Sequence, residues 1–415
     1  MSEIAARAPV AEANGRPSNR IPSLDGLRGV ASLVVVTFHI ALNDAVVGAR
    51  PYRRDQTSGV GWLGAMMTFT PLHLLWAGEQ AVAVFFVLSG FVLALPFARR
   101  GTRPGRGTSW IRFYRSRAVR LYLPAVASLV LAYGLALVVP YPGDTGLSPW
   151  LKSHSAPARL IDLVVGSTLM SYNQLNISLW SLRWEVLFSL ALPIFLALAV
   201  WRVMPSWVKA TAMLGCLTSW SVISGSPYFN SSTLLIFGFG VLMAYESDRL
   251  GVLAARLSAQ AWIGILVTAC LLLSLQWMVL PFGVQPGSVF GDLWMTYTAA
   301  GATLLVFTAA FCGPVRRLLE RRPIQLLGLL SFSLYLVQEP VTIRFALATH
   351  ASLPLWLALP IELTLALVVA VLFYRAVERP AHRLARRVGA VPVGRHSVPA
   401  IDRTGPVSAP RVGSP

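Results

Sequence analysis

An arginine and a histidine lie in the first long apolar stretch of the chain. Arg28 and His39 are eleven residues apart, which in a helix separates them by about 16 Å along the axis and roughly 20° around it. Ionisable residues inside a membrane span cost roughly 2.5–3.5 kcal/mol each and are therefore functional candidates. Because imidazole titrates near neutral pH, we predict that His39 is a catalytic base, assisted by Arg28 at the cytoplasmic rim. The alternative is a snorkelling arginine and a hydrogen-bonded core histidine.

A second group of cations enters the third apolar run. The sequence Arg-Phe-Tyr-Arg-Ser-Arg-Ala-Val-Arg ends at Arg120 and contains Arg115 and Arg117. Arg117 and Arg120 are three residues apart and therefore lie on one side of a helix. Because arginines hold phosphates through charge-assisted hydrogen bonds, we predict that these three residues bind a phosphorylated donor. Membrane orientation and contact with anionic lipids are the alternative explanation.

Other polar side chains interrupt the later apolar runs. Glu185 begins one of them beside two tryptophans, and we expect it to orient His39 or an acceptor from the external side. Gln338 and Glu339 are predicted to be buried next to Pro340, which can kink the helix. Further candidates by residue type and position are Glu79, Ser89, Trp180, Ser333, Tyr335, Gln338 and Glu378. The three cysteines have no histidine or cysteine nearby at ligand spacing, so neither a disulfide framework nor a metal site is predicted.

The composition indicates a membrane protein. The chain has 415 residues, of which 55% are hydrophobic and 13% charged, about half the charged fraction of soluble domains. Its net charge of +18 does not indicate a nucleic-acid partner, because the basic residues cluster between apolar runs, as the positive-inside rule predicts. The expected fold class is all-α, a polytopic bundle of transmembrane helices.

Ten apolar runs have about the length of a membrane span. They are residues 29–47, 80–98, 119–140, 180–201, 207–224, 231–245, 258–280, 293–312, 324–348 and 354–374. Arginine clusters at 99–120, 316–322 and 375–387 should all be cytoplasmic, so even numbers of crossings separate them. If the weaker run at 160–172 also crossed, the number of crossings between the first two clusters would be odd. We therefore predict that this run is re-entrant or interfacial. Both termini are then cytoplasmic, with residues 1–20 and 386–415 disordered.

Taken in order, these segments resemble the membrane acyltransferase-3 family, whose members O-acylate surface polysaccharides, lipopolysaccharide, peptidoglycan or macrolides. The resemblance covers about residues 21–385, the expected membrane acyltransferase domain. It rests on Leu-Asp-Gly-Leu-Arg-Gly followed by His39, Phe-Phe-Val-Leu-Ser-Gly-Phe, Arg117-Ala-Val-Arg120-Leu-Tyr, Leu-Trp-Ser-Leu-Arg-Trp-Glu, Ser-Phe-Ser-Leu-Tyr-Leu and Glu378-Arg379-Pro380. Family members often have histidine where this chain has Gln338, so the catalytic assignment depends on His39.

The resemblance implies transfer of an acyl group, expected to be acetyl, from cytoplasmic acyl-CoA to a hydroxyl of a carbohydrate or macrolide-type acceptor. Acyl-CoA is then a co-substrate, no bound cofactor is expected, and membrane lipids surround the chain. The catalytic set would be His39, Arg28 and Glu185. A transporter or flippase of a polar lipid-linked solute is the alternative, because buried charges and kinked spans also form transport paths.

Overall fold

The computed structural model describes residues 21–44, 47, 61–100, 109–143, 146–171, 173–201, 203–224, 231–284 and 293–389. Within these ranges the secondary structure is helical, with no strand, which confirms the all-α fold class. The predicted disorder of residues 1–20 and 390–415 falls outside the described residues. Residues 386–389 continue the last helix, so the described helix extends four residues beyond the expected start of the tail.

The described residues form sixteen α-helices. They are α1 Pro22–Asn43, α2 Trp62–Phe69, α3 Gly78–Arg100, α4 Trp110–Val138, α5 Pro149–Lys152, α6 Leu160–Ser167, α7 Trp180–Val200, α8 Ser206–Ser224, α9 Thr233–Tyr245, α10 Ser247–Arg256, α11 Ala259–Met278, α12 Trp294–Phe311, α13 Gly313–Leu319, α14 Arg322–Ala348, α15 Leu355–Phe373 and α16 Arg379–Gly389. A 3₁₀ turn, Ile177–Leu179, leads into α7, and a π-helical turn, Tyr374–Glu378, joins α15 to α16.

Eight of the described helical segments are long and apolar enough to cross a membrane. They contain α1, α3, α4, α7, α11, α12, α14 and α15, the last continuing through α16. The other two of the ten predicted spans correspond to α8 and α9, which are not among these eight segments. Helix α9 has 13 residues and is about 20 Å long, shorter than a bilayer core of about 30 Å.

Glycines allow the central helices to approach closely. A methyl group at Gly29 of α1 would overlap the backbone of Gly328 in α14, and one at Gly90 of α3 would overlap the backbone of Phe237 in α9. Small residues at such crossings let helix backbones pack within van der Waals distance, which is the main source of helix association in a lipid environment. The tight α1–α14 crossing fixes the position of the helix that carries Arg28 and His39.

Helices α4 and α7 run antiparallel. Tyr114 of α4 donates to the carbonyl oxygen of Leu190 at 3.3 Å, whereas Arg117, further along α4, contacts Ser189 and Glu185, which come earlier in α7. The chain that connects α4 to α7 therefore makes no net crossing of the membrane. Its longer helix, α6, has eight residues and is about 12 Å long, too short to span. The structure thus agrees with a re-entrant or interfacial segment at 160–172.

After α6 the chain enters the bundle. We call residues 173–179 the inserted segment. Within it, Asn176 is fully buried and donates from Nδ2 to the carbonyl oxygen of Leu336, in the middle of α14, at 2.8 Å. Irregular backbone at membrane depth is tolerated only where protein covers it and satisfies its polar groups. Helix α7 consequently begins inside the bundle.

Candidate active site

Helices α1, α3, α4, α7 and α14 surround an open cavity of about 120 Å³. Three arginines line it, Arg28 from α1 and Arg117 and Arg120 from α4. The other polar lining residues are Ser89, Ser181, Glu185, Ser331 and Tyr335. We call this space the arginine cavity. Three cations against one carboxylate give it a net positive charge, which favours an anionic ligand.

Arg117 is held in place from α7. Its Nη2 donates to Oε1 of Glu185 at 2.6 Å and its Nε donates to Oγ of Ser189 at 3.1 Å. Ser89 of α3 also donates to Oε1 of Glu185, at 3.4 Å. A carboxylate shared by an arginine and a hydroxyl from two other helices is well placed to fix the guanidinium orientation.

Glu185 therefore has different neighbours from those expected. The sequence suggested a place beside His39 at the external side, but the carboxylate lies with the arginines that were predicted to be cytoplasmic. The reason is the inserted segment, because it carries the chain into the bundle before α7 starts. The first turns of α7 are thus deep in the protein.

The other two arginines keep hydrogen-bonding capacity for a ligand. Arg28 contacts Asp25 at 3.4 Å, one turn away on its own helix, and 26% of its side chain is exposed. Arg120 is exposed and makes no hydrogen bond or ion pair within the described ranges. Arg115, expected with them, is also exposed but does not line the cavity. Arg115 lies two residues before Arg117 and five before Arg120, and side chains at these spacings point in different directions from a helix.

His39 lies about 16 Å further along α1 than Arg28, and it does not line the arginine cavity. Its side chain is buried, with the ring packed near Phe38 and Trp150. Nδ1 lies 2.9 Å from the carbonyl oxygen of Val35, and since a carbonyl only accepts, this nitrogen carries the proton. Nε2 is therefore the nitrogen that can accept a proton, as a general base must.

A second histidine, His154, also packs against Trp150. The ring centroids of Trp150 and His154 are 4.8 Å apart, compared with 5.5 Å between Trp150 and His39. Nε2 of His154 faces Oε1 of Glu339 at 3.5 Å, and both residues are almost fully buried. Glu339 also interacts electrostatically with His39. We call His39, His154 and Glu339 the histidine cluster.

Glu339 fastens the inserted segment to α14. Its Oε1 accepts from the backbone N–H of Ile177 at 2.8 Å, and its Oε2 accepts from the backbone N–H and the hydroxyl of Ser178. The neighbouring Gln338 donates to the same hydroxyl at 3.0 Å, and Tyr335 donates to the carbonyl oxygen of Ser178 at 2.9 Å. Because Tyr335 also lines the arginine cavity, hydrogen bonds connect that cavity with the histidine cluster.

Sequence reasoning pointed to part of this cluster. An acidic residue inside the apolar run of α14 is a detectable signal for Glu339. His154 has no such signal, because it follows the short helix α5 in a polar connection and is buried through contacts with Trp150 and Glu339. Its burial is a tertiary effect, which local composition does not encode.

The remaining candidates fall into three groups. Ser89 and Tyr335 line the arginine cavity, whereas Glu79 and Trp180 do not; Trp180 packs edge-on against Phe86 at 6.3 Å. Ser333, Gln338 and Glu378 are buried and serve hydrogen bonds between elements. The carboxylate of Glu378 accepts from the backbone and hydroxyl of Ser333, and this contact ties α14 to the π-helical turn.

Comparison with known proteins identifies relatives that are named as acyltransferases. A relative from Bacillus subtilis (strain 168), named "Putative peptidoglycan O-acetyltransferase YrhL", is 24% identical over 395 residues, which cover 87% of this chain and 54% of the relative. "Acyltransferase MdmB" from Streptomyces mycarofaciens is 28% identical over 180 residues, covering 42% of this chain and 39% of the relative. The chain thus spans about half the length of the curated relatives or less. No solved structure gives a significant match.

The family comparison also covers most of the chain. The model described as "Acyltransferase domain", that of the acyltransferase-3 family, matches residues 21–375. This range includes the arginine cavity and all three residues of the histidine cluster, and it ends at the π-helical turn before α16. The chain therefore belongs to the acyltransferase-3 family.

Proposed function

We propose that the protein is an integral membrane O-acyltransferase that uses acyl-CoA, with acetyl-CoA as the expected donor. One observation supports this most directly, namely that a single helix carries Arg28 in an open cationic cavity and a buried histidine whose Nε2 can accept a proton. The elongated donor suits this separation, since its pantetheine arm lies between the phosphates and the thioester. Arg28 and Arg120 would bind phosphate together with Arg117, which Glu185 orients.

The chemistry requires a base and a route for one proton. The acceptor oxygen attacks the thioester carbonyl, a C–O bond forms and the C–S bond breaks. His39 takes the hydroxyl proton at Nε2, and the departing thiolate receives a proton, so no net proton is consumed. Glu339 supplies a negative charge that favours the imidazolium formed in this step.

The acceptor is proposed to be a hydroxyl of a carbohydrate or macrolide-type compound. The name of the Bacillus subtilis relative supports peptidoglycan as one carbohydrate to test. The alternative of a transporter or flippase gains no support from the described helices, because membership of an acyltransferase family accounts for the same buried charges.

The activity is tested with the purified full chain in lipid nanodiscs. The protein receives acetyl-CoA labelled in the acetyl group together with isolated peptidoglycan or a macrolide, and heat-inactivated protein is the control. We expect the label to appear in an ester product that alkali hydrolyses. Binding of donor without any ester product on either acceptor would contradict the proposed acceptors, and no donor binding would contradict the use of acyl-CoA.

We also propose that both termini are cytoplasmic and that residues 141–178, expected to be external, enter the bundle from that side, with the inserted segment buried within it. Ser155 and Ser171 flank α6 and are exposed, whereas Asn176 is buried and unsuited to labelling. After replacement of the exposed Cys216, both Ser155→Cys and Ser171→Cys should react with an impermeant thiol reagent added to intact cells. Arg387→Cys is the matched control and should react only after permeabilisation. Reaction at position 155 alone would mean that the segment crosses.

A further inference from the structure

A basic groove lies outside the arginine cavity, along the last described helix. It is lined by Tyr374 of the π-helical turn and by Arg379, His382, Arg383 and Arg386 of α16, and its open volume is about 500 Å³. The three arginines are spaced four and three residues apart, so they project from one face of the helix. All three are exposed, and none forms an ion pair with another described residue. We call this the α16 groove.

The groove adjoins the arginine cavity. Helix α16 packs along the first half of α4, with Gly389 beside Ser116, one residue before Arg117. His382 is close enough to Arg120 and Arg28 to interact with both electrostatically. Two sets of arginines, one from α1 and α4 and one from α16, therefore surround adjoining spaces.

One buried polar atom in the groove has no hydrogen bond among the described residues. Nε2 of His382 is buried, lies 3.6 Å from Oε1 of Glu378 and forms no hydrogen bond in the part of the chain that the structure describes. The other oxygen of Glu378, Oε2, accepts from the backbone and hydroxyl of Ser333. A buried nitrogen without a hydrogen bond carries a desolvation cost that a ligand oxygen can relieve.

We propose that the α16 groove binds the 3′-phosphate of the acyl-CoA nucleotide, while the arginine cavity takes the pyrophosphate and the pantetheine arm. The inference rests on the proposed use of acyl-CoA. The donor carries phosphate at two places, and the protein presents two adjoining arginine sets. Arginine suits phosphate because its planar guanidinium donates two parallel hydrogen bonds, and the Tyr374 ring offers a surface for stacking of adenine. An anionic lipid headgroup has the same phosphate chemistry and is separated from the nucleotide by the experiment.

Binding is measured by calorimetry with the full chain in nanodiscs of neutral phosphatidylcholine. The two ligands are acetyl-CoA and 3′-dephospho-acetyl-CoA. We expect the wild-type protein to bind acetyl-CoA roughly 10- to 100-fold more tightly, the range for one charge-assisted phosphate contact. Arg383→Ala and Arg386→Ala should remove most of this preference and leave affinity for the dephosphorylated ligand unchanged, which also shows that they fold. Arg387→Ala, an exposed arginine of the same helix outside the groove, is the matched control and should keep the preference.

The outcomes separate this inference from the proposed function. Equal wild-type affinities for the two ligands would overturn the groove assignment and leave the acyl-CoA proposal intact. Failure to bind either ligand would overturn the acyl-CoA proposal. The experiment is repeated with phosphatidylglycerol in the nanodiscs. If Arg383→Ala reduces retention of this lipid but leaves the 3′-phosphate preference unchanged, the groove is a lipid site and the inference is wrong.

Discussion

The arginine cavity and the histidine cluster share helix α1 but are built in opposite ways. The cavity is open, and two of its cations, Arg28 and Arg120, have no cross-helix partner among the described residues. The cluster is closed, and its only carboxylate, Glu339, is fully buried and holds three donors of the inserted segment. An open cationic site suits binding of a charged substrate, whereas a closed site with a fixed imidazole suits proton transfer.

This contrast predicts that substitutions in the cluster affect turnover and that substitutions in the cavity affect donor binding. The largest effect is expected at His39. His39→Ala removes the base and should lower kcat by about 100- to 10,000-fold, with the protein still inserted and abundant. Steady-state kinetics in nanodiscs measures it, and His350→Ala, at an exposed position outside the cluster, is the control. Near-normal turnover of His39→Ala would mean that the cluster is not catalytic.

Glu339→Gln should have the next largest effect, on stability as well as turnover. An amide offers one acceptor oxygen where the carboxylate offers two, so at least one donor from Ile177 or Ser178 loses its partner. The expected cost is about 1–3 kcal/mol, seen as a lower thermal unfolding temperature. Glu320→Gln alters a partly exposed pair with Arg316 and should change stability by less than about 1 kcal/mol. Equal effects of the two substitutions would contradict the fastening role of Glu339.

Arg117→Ala should act on the donor. Loss of a charge-assisted phosphate contact is worth about 1.5–3 kcal/mol, so the apparent KM for acetyl-CoA should rise roughly 10- to 100-fold with a smaller change in kcat. Glu185→Gln keeps Arg117 and only weakens the contact that orients it. The KM of this variant for acetyl-CoA should therefore rise less. A larger effect of Glu185→Gln than of Arg117→Ala would indicate that the carboxylate, not the guanidinium, acts on the substrate.

The smallest effect is expected at Arg115. Because this exposed residue does not line the cavity, Arg115→Ala should change the donor KM by less than about twofold, within the roughly 0.5 kcal/mol typical of surface substitutions. The same donor titration measures it beside Arg120→Ala, which should raise the KM. A comparable rise in both variants would extend the donor site beyond the cavity.

The sequence was most informative where one helix determines the geometry. The spacing of Arg28 and His39, and of Arg117 and Arg120, follows from helical periodicity alone. Even in the second case, Arg115 was assigned to the donor site by proximity in sequence, which helical geometry does not support. The partner of Glu185 and the burial of His154 depend on where the inserted segment enters the bundle. That path is set by contacts between residues far apart in the chain, such as Asn176 with Leu336, and local patterns do not contain it.

The fastening of the inserted segment by one side chain has a consequence for cooperativity. Among the described residues the backbone donors of Ile177 and Ser178 have Glu339 as their only acceptor, and Glu339 also faces His154. Partial release of the segment would leave a buried carboxylate short of donors, so intermediate states are disfavoured. The segment and the charge environment of the histidines should therefore change together as one local unit of opening and closing.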